Sequence, residues 1–438
     1  MMMETSTSTL SCTLEKGDFF GWQAVYLRNN LVRIVAVPDI GGRLMAYDLH
    51  DYPFLFVDPQ LAGRLYSPEE NQGDGSLAAW KNYGGDKTWP APQGWDDDTQ
   101  WHGPPDPVLD TGRYRLARAE VEAGKAIVAM VSPPDPRTGV QITRQATLEP
   151  NSTRLKLELT FTNISARPVR WSIWDVVQLR SGRLAADGAA TFDPCCLITA
   201  PLNPHSRFPQ GFYVMFGAAD NPQWTADPAE GLFTARYLWE IGKVGLDSPA
   251  GWIAFSNTAA GKAFVERFTF FPGQEYPDQG ASVECWTVGR GQVANLDYEH
   301  SGIYLMETEV LSPLYTIKPG QQVSFDIQWN ACAVDGRVIG VEEAGCTTSP
   351  LQLHPGGATI FLRGAFGVFE PGELWLILRD AAGRDLSNHC LGLVSPLAAV
   401  RLDQTLPLPA GAQRAELLLR ANQQDYRLAE ASLESPAA

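Results

Sequence analysis

The sequence lacks the features that mark a nucleic-acid-binding or membrane-spanning chain. Charged residues make up only 19% of its 438 residues, and acidic side chains outnumber basic ones, leaving a formal net charge of −16. A negative chain without a cluster of Lys or Arg repels a phosphate backbone, so we expect no nucleic-acid partner. No apolar run approaches the ~20 residues of a membrane span. We therefore expect no membrane partner either.

The cysteines and the N-terminal residues bear on the cellular compartment in which we expect the protein. The seven cysteines are odd in number and scattered apart from Cys195-Cys196, and they show neither a disulfide framework nor zinc-ligand spacing. The first ten residues lack the basic start and apolar core of a signal peptide. These features predict a cytoplasmic protein without a cofactor, and the oligomeric state stays open.

Strand-like patterns recur along most of the chain. Short runs rich in Val, Ile, Phe, Tyr, Trp and Thr, such as residues 31–37 and 169–179, alternate with turns of Gly, Pro, Asn and Asp. No segment shows a long, capped helical periodicity. We predict an antiparallel all-β fold.

A domain boundary is predicted near residue 340. After Trp329 the sequence passes through glycine-rich turns, and a second, simpler series of short strands begins. Residues 1–340 then form the first domain, and residues 341–438 form a small immunoglobulin-like β-sandwich. The second domain has few clusters of His, Asp or Glu, which indicates a structural role.

The segment from Lys81 to Trp95 combines turn formers, tryptophans and charged groups. Gly84-Gly85, Pro90 and Pro92 predict a shaped loop rather than a helix or a central strand. Flat tryptophan faces beside hydrogen-bonding groups suit sugar rings, and Trp80 and Trp101 are close by. The candidate sugar contacts in this segment are Asn82, Asp86, Lys87, Trp89, Gln93 and Trp95. A structural loop held by its own aromatic side chains is the alternative.

Five motifs in a fixed order carry a resemblance to a known family. They are Pro38-Asp-Ile-Gly-Gly-Arg43, Asn82-Tyr-Gly-Gly-Asp-Lys-Thr-Trp89, Pro104-Pro-Asp-Pro107, Pro204-His-Ser206 and Glu307-Thr-Glu-Val-Leu-Ser-Pro313. The set resembles a bacterial domain-of-unknown-function family within the galactose-mutarotase-like (aldose epimerase) superfamily, over roughly residues 15–335. The resemblance implies a β-supersandwich with a concave face that binds carbohydrate. The family itself brings no established reaction.

The resemblance implies which residues of two strands occupy the positions of the mutarotase acid and base. Gln178-Leu179 is similar to the Asn-Leu of a mutarotase strand, which puts Trp174 where those enzymes keep their acid histidine. Strand alternation places Trp174 and Gln178 on one polar face and Asp175 on the apolar face, as a structural anchor. The resemblance gives Glu307 the place of the mutarotase base, with Glu309 on the same side of its strand. Two like charges about 7 Å apart raise each other's pKa when partly buried.

With that histidine position occupied by tryptophan, another group must supply the acid. His102 and His205 lie in turn-rich loops, and histidine titrates near neutral pH; each also fits a hydrogen-bonding surface group. Arg207, beside His205, is a further candidate sugar contact. The acidic run Asp96-Asp-Asp98 could hold a cation together with Asp106, but the spacing of a calcium loop is absent, so we predict no metal site.

Two functions fit these residues. The first is a carbohydrate-active enzyme, possibly an aldose-epimerase-type isomerase in which Glu307 takes the anomeric hydroxyl proton, with a glycosidase or lyase as variants on the same fold. The second is a non-catalytic carbohydrate-binding or accessory module whose tryptophans stack on sugar rings. Trp174 in the histidine position favours the second. The ionisable groups spread over distant motifs favour the first.

Overall fold

The computed structural model describes residues 11–299 and 301–433. Within these ranges helix is confined to α1 (Pro68–Gln72) and two 3-10 turns, Leu77–Ala79 and Asp278–Gly280. The prediction of an all-β fold is confirmed. No helix in this part of the chain has the length and apolar character needed to cross a bilayer. The N-terminal segment interpreted above as lacking a signal peptide lies outside the described residues.

Twenty-six of the described strands lie within the predicted first domain. In chain order they are β1 Thr13–Phe19, β2 Trp22–Arg28, β3 Val32–Val37, β4 Arg43–Leu49, β5 Tyr52–Pro53, β6 Asp86–Ala91, β7 Arg115–Glu122, β8 Lys125–Val131, β9 Val140–Leu148, β10 Leu155–Asn163, β11 Val169–Arg180, β12 Gly182–Leu184, β13 Ala190–Phe192, β14 Cys196–Pro201, β15 Tyr213–Gly217, β16 Trp224–Asp227, β17 Leu232–Arg236, β18 Gly242–Leu246, β19 Trp252–Asn257, β20 Lys262–Phe268, β21 Val283–Thr287, β22 Gln292–Val293, β23 Leu296–Asp297, β24 Leu305–Leu311, β25 Tyr315–Ile317 and β26 Gln322–Ala333.

Three antiparallel sheets position the candidate site. Strands β1 to β5 form a five-stranded meander, and a ten-stranded sheet has the order β16-β17-β14-β19-β20-β26-β10-β9-β8-β7. A seven-stranded sheet has the order β15-β18-β21-β24-β11-β25, with β6 also paired to β11. Apolar side chains of the two large sheets, such as Leu157 and Ile173, belong to one buried cluster. One face of the seven-stranded sheet therefore packs on the ten-stranded sheet, and the other face points away from it.

The prediction of a loop throughout residues 81–95 is wrong for Asp86–Ala91. These residues form β6, which pairs with residues 172–177 of β11. A proline is tolerated here because β6 has a single partner strand, so the missing N–H of Pro90 need not face one. The prediction that Gly84 lies in a loop agrees with the structure. Gly84 has a φ of 94°, and a Cβ atom there would lie 2.2 Å from the carbonyl oxygen of Phe56.

The last hundred residues form two four-stranded antiparallel sheets, so the predicted small β-sandwich is confirmed. The sheet orders are β27-β28-β29-β32 and β31-β30-β33-β34, and sixteen buried apolar residues lie between them, including Leu362, Leu376 and Leu417. The strands are β27 Gly340–Val341, β28 Gly345–Gly356, β29 Thr359–Val368, β30 Gly372–Arg379, β31 Asp385–Val394, β32 Val400–Pro407, β33 Arg414–Ala421 and β34 Gln424–Ser432.

A separate apolar cluster joins the sandwich to the first domain. It includes Trp252 and Val334 from the first domain and Phe369 from the second, all buried. The carbonyl oxygen of Phe369 accepts a hydrogen bond from the Thr153 backbone N–H at 2.8 Å. The two predicted domains thus share a packed apolar contact.

Candidate functional site

Strand register gathers the motif residues on the face of the seven-stranded sheet that points away from the ten-stranded sheet. Gln178 of β11 lies directly opposite Glu307 of β24, and Trp174 lies opposite Trp89 of β6. Paired residues in adjacent strands share a face, and so do residues two apart in one strand. We call this surface the outer face; its polar and aromatic residues include Lys87, Trp89, Trp174, Gln178, Lys243, Glu284, Glu307 and Glu309.

Glu307 is held by two donors at one end of the outer face. Its Oε1 accepts a hydrogen bond from Gln178 Nε2 at 2.6 Å and lies 3.1 Å from Lys87 Nζ. The Glu307 side chain keeps 11% of its surface exposed, whereas Lys87 keeps 2%. Burial lowers the pKa of Lys87, and the charge of Glu307 opposes that shift. The result is an oriented carboxylate beside an amine that gives up its proton more readily than a solvated lysine.

A second cluster lies at Glu309, also on the outer face. Glu309 Oε2 accepts a hydrogen bond from Trp174 Nε1 at 2.8 Å and lies 2.9 Å from Lys243 Nζ. Lys243 Nζ is also 2.7 Å from Glu284. Burial raises the pKa of Glu309 to about 8 and that of Glu284 to about 7, although Lys243 opposes both shifts. Burial, more than the charge of Glu307, causes the rise at Glu309.

Lys243 and Glu284 were missed by the sequence interpretation. They lie on β18 and β21, outside the motifs that carried the resemblance. One signal was available, because Glu284 lies between the apolar residues Val283 and Cys285 in a short strand-like run. A carboxylate in a buried strand requires a partner, and Lys243 is that partner.

Four tryptophans form a contiguous group beside Glu307. The ring of Trp89 lies 4.8 Å from that of Trp101, 5.3 Å from that of Trp174 and 6.1 Å from that of Trp80, measured between centroids. Lys87 Nζ lies 4.8 Å from the Trp89 centroid, within cation–π range. Trp89 and Trp174 are each only 4% exposed. They therefore form a packed wall of the outer face rather than open platforms.

Asp86 and Asp175 lie on the opposite face, towards the ten-stranded sheet. Asp86 accepts hydrogen bonds from the Leu44 backbone N–H at 2.6 Å and from Arg144 of β9. Asp175 accepts a hydrogen bond from Thr88 Oγ1 at 2.9 Å and lies 3.9 Å from Arg144. Burial raises the pKa of Asp175 to about 7. Both carboxylates link the two large sheets through Arg144. Asp86, predicted as a sugar contact, therefore lies on the face opposite Glu307.

The remaining candidates of the loop segment differ in exposure. Asn82 is buried, and within the described residues neither polar atom of its side chain has a hydrogen-bond partner. Trp95 is 70% exposed and Gln93 is exposed. The Gln93 side chain lies against Gly103, where a Cβ atom would be 2.0 Å from its Nε2. Of these three candidates, Asn82 is therefore the buried residue whose side-chain amide is left without a hydrogen-bond partner among the described residues.

The two candidate histidines lie in exposed loops. His102 and His205 are both exposed. Within residues 11–299 and 301–433 neither imidazole hydrogen-bonds to a carboxylate of the outer face. The Arg207 guanidinium lies against Gly280, where a Cβ atom would be 2.8 Å from its Cζ, and Arg207 Nε is 3.9 Å from Asp247. The acid role of either histidine remains a prediction.

The acidic run and Asp106 are used in local contacts. Asp106 accepts hydrogen bonds from Trp101 Nε1 at 2.8 Å and from Arg137 Nη2 at 2.5 Å. Asp97 accepts from the Thr99 backbone N–H at 2.7 Å. In the part of the chain that the structure describes, no group of three or more His, Cys, Asp or Glu side chains is placed to hold a metal ion.

Comparison with known proteins gives one family match and several solved structures of similar fold. Residues 22–187 match the model of a domain of unknown function, DUF4380, and no curated protein matches the chain. A galactose mutarotase-like protein from Clostridium acetobutylicum is 11% identical, with 74% of this chain and 99% of that chain covered and a TM-score of 0.47. A putative mutarotase from Salmonella typhimurium is 8% identical, with 74% and 97% covered and a TM-score of 0.47.

A putative aldose 1-epimerase from Escherichia coli K12 is 10% identical, with 74% of this chain and 99% of that chain covered and a TM-score of 0.41. At these identities the likeness concerns the course of the chain alone. The family match includes Lys87, Trp174 and Gln178 but ends before Glu307. Residues 22–187 therefore match the family model of a domain of unknown function, DUF4380, within a chain whose described residues are nearly all strand, turn and loop.

Proposed function

We propose that the outer face binds a sugar and that Glu307 acts there as the base of an aldose-epimerase-type reaction. The observation that carries the proposal is the position of Glu307, whose Oε1 is fixed by Gln178 and Lys87 while part of its side chain stays exposed. A base must be oriented and must reach its proton. Glu309 and Glu284, by contrast, are fully buried.

In this mechanism Glu307 removes the proton of the anomeric hydroxyl. The bond between the anomeric carbon and the ring oxygen breaks, a carbonyl forms at that carbon, and the ring oxygen takes up a proton. Lys87 Nζ lies 3.1 Å from Glu307 Oε1 and has a pKa lowered by burial. We therefore assign it the proton donation to the ring oxygen in place of the missing histidine, a role that requires Nζ to become accessible when the sugar binds. Ring closure on the other face of the carbonyl returns both protons and gives the other anomer.

The segment between β21 and β24 lies close to Glu307. Tyr298 of this segment is buried, and burial together with the charge of Glu307 raises the pKa of Tyr298. The hairpin of β22 and β23 reaches the segment that begins at Leu77, where Asn295 Oδ1 accepts a hydrogen bond from the Ala78 backbone N–H at 3.0 Å.

A non-catalytic sugar-binding module is the second candidate. Trp174 occupies the position of the expected acid histidine, and its Nε1 is already committed to Glu309. A face without its acid retains hydrogen bonds and aromatic walls for binding. Binding and catalysis are therefore tested separately.

Tryptophan fluorescence titration with galactose, glucose, their uronic acids and short oligosaccharides tests the binding claim. We expect saturable quenching by at least one sugar, because the tryptophan group adjoins Glu307. Gln178→Met should weaken that binding at least about tenfold, or ~1.4 kcal/mol. Gln274→Met, in an exposed loop, is the matched control and should leave it unchanged. Absence of saturable binding across the panel contradicts both candidate functions.

A further inference from the structure

A cavity of about 610 Å³ opens beyond one end of the outer face, between the five-stranded sheet and the hairpin of β12 and β13. Arg180, the last residue of β11, lines it and lies two residues past Gln178, on the same side of the strand. Glu307, Lys87 and Gln178 do not line the cavity. It is a second concave site, separate from the carboxylate cluster.

The cavity has an apolar floor and an apolar rim. Phe19, Met45 and Phe56 are buried beneath it. On its walls Phe20 is 62% exposed and Leu184 is 70% exposed. Sites for small molecules are typically of this size and are lined mostly by apolar side chains with a few polar groups that orient the ligand. Phe20 and Leu184 add exposed apolar surface that a ligand in the cavity would cover.

The polar groups of the cavity favour an anion. Three arginines line it, and one of them, Arg33, is paired with Asp48 at 2.5 Å. In the described parts of the chain no carboxylate forms an ion pair with Arg180 or Arg183. Asp18 accepts a hydrogen bond from the Gly21 backbone N–H at 3.0 Å. In a chain with a net charge of −16, two guanidinium groups without acidic partners beside an apolar floor are complementary to a negatively charged head group.

We propose that this cavity binds an amphipathic monoanion, a molecule with an apolar body and a single carboxylate or sulfonate. The body lies over the floor of Phe19, Met45 and Phe56, and the head group lies between Arg180 and Arg183. An apolar body fits this floor better than a saccharide does, because saccharide hydroxyls over Phe19, Met45 and Phe56 would lack hydrogen-bond partners. The proposal is independent of sugar binding at Glu307.

Binding of 8-anilinonaphthalene-1-sulfonate and of dodecanoate to the full chain tests it. We expect a saturable rise in the fluorescence of the sulfonate and its displacement by dodecanoate. Leu184→Asp and the double variant Arg180→Glu/Arg183→Glu should each weaken binding at least about tenfold. Leu393→Asp and Arg363→Glu are matched controls, since both positions are exposed in the C-terminal sandwich, and they should bind like the unmodified chain.

Three results would overturn the proposal. The first is binding that is equal in all variants, or absent from the unmodified chain. The second is loss of binding in Leu393→Asp, which would place the probe on the C-terminal sandwich. The third is displacement by digalacturonic acid but not by dodecanoate, which would make the ligand an acidic saccharide.

Discussion

Gln178 Nε2 donates a hydrogen bond to Glu307 Oε1 at 2.6 Å, between residues that lie directly opposite each other in β11 and β24. The two residues are 129 positions apart in sequence. Their pairing fixes the direction of the Glu307 carboxylate and places it beside Lys87. The contact therefore joins the two strands that the sequence resemblance had interpreted separately.

The tryptophan group predicts a contrast between two alanine variants. Trp89→Ala removes a ring packed against three other tryptophans and should lower the free energy of unfolding by about 3–5 kcal/mol. Trp95→Ala removes an exposed ring and should change it by less than about 0.5 kcal/mol. Urea denaturation of both variants measures the difference. Equal stabilities would show that Trp89 is not a packing element of the outer face.

The raised pKa of Glu309 predicts a fall in stability with rising pH. Folded Glu309 keeps its proton up to about pH 8, whereas an unfolded glutamate loses it near ~4.3. Between these values the folded state binds more protons than the unfolded state, so the free energy of unfolding falls as the pH rises. Glu284 and Asp175, whose pKa values burial raises to about 7, act in the same direction.

Replacing Glu309 by glutamine isolates its share of this slope. Glu309→Gln is neutral at every pH, so its free energy of unfolding should fall less steeply between about pH 5 and about pH 9 than that of the unmodified chain. Glu158→Gln, at a partly exposed position on β10, is the matched control and should keep the original slope. Urea denaturation across this range provides the measurement. An unchanged slope in Glu309→Gln would contradict the assigned pKa.

The shared apolar cluster predicts cooperative unfolding of the two domains. Phe369→Ala leaves a cavity against Trp252 and Val334 and should cost about 3–5 kcal/mol. We expect residues 1–340, expressed alone, to fold with a lower free energy of unfolding than the full chain, because part of this cluster becomes exposed. Urea denaturation followed by tryptophan fluorescence measures both. Two separate transitions in the full chain, or a fragment of equal stability, would contradict this coupling.

Much of the fold could be predicted from short-range patterns, while β6 could not. The runs at 31–37 and 169–179 became β3 and β11 because alternation and β-branched residues are local signals. Residues 86–91 contain Pro90, which argues against a central strand but is compatible with the single-partner position of β6. Only the order of strands in the sheet reveals that position.

The residues that the structure gathers on the outer face were predictable where a sequence motif marked them. Glu307 and Gln178 could be named in advance because each lies in a recognisable segment. Lys243 and Glu284 could not, because they meet Glu309 through the neighbouring order β18-β21-β24, which no local pattern encodes. The opposite facing of Asp86 and Lys87 followed from strand alternation only once residues 86–91 were known to be a strand.

The most direct test of the account is the rate of anomeric exchange, measured by NMR on the sugar that binds most tightly, for the unmodified chain and for Glu307→Gln. The account predicts exchange above the uncatalysed rate in the unmodified chain and its loss in Glu307→Gln, with binding of the sugar retained, because glutamine keeps the shape of the side chain but cannot accept the proton. Lys87→Met, which removes the proposed proton donor, should also lose exchange. Exchange that is fast in the unmodified chain and unchanged in Glu307→Gln would contradict the assignment of the base, and binding without exchange in the unmodified chain would leave the outer face as a sugar-binding surface only.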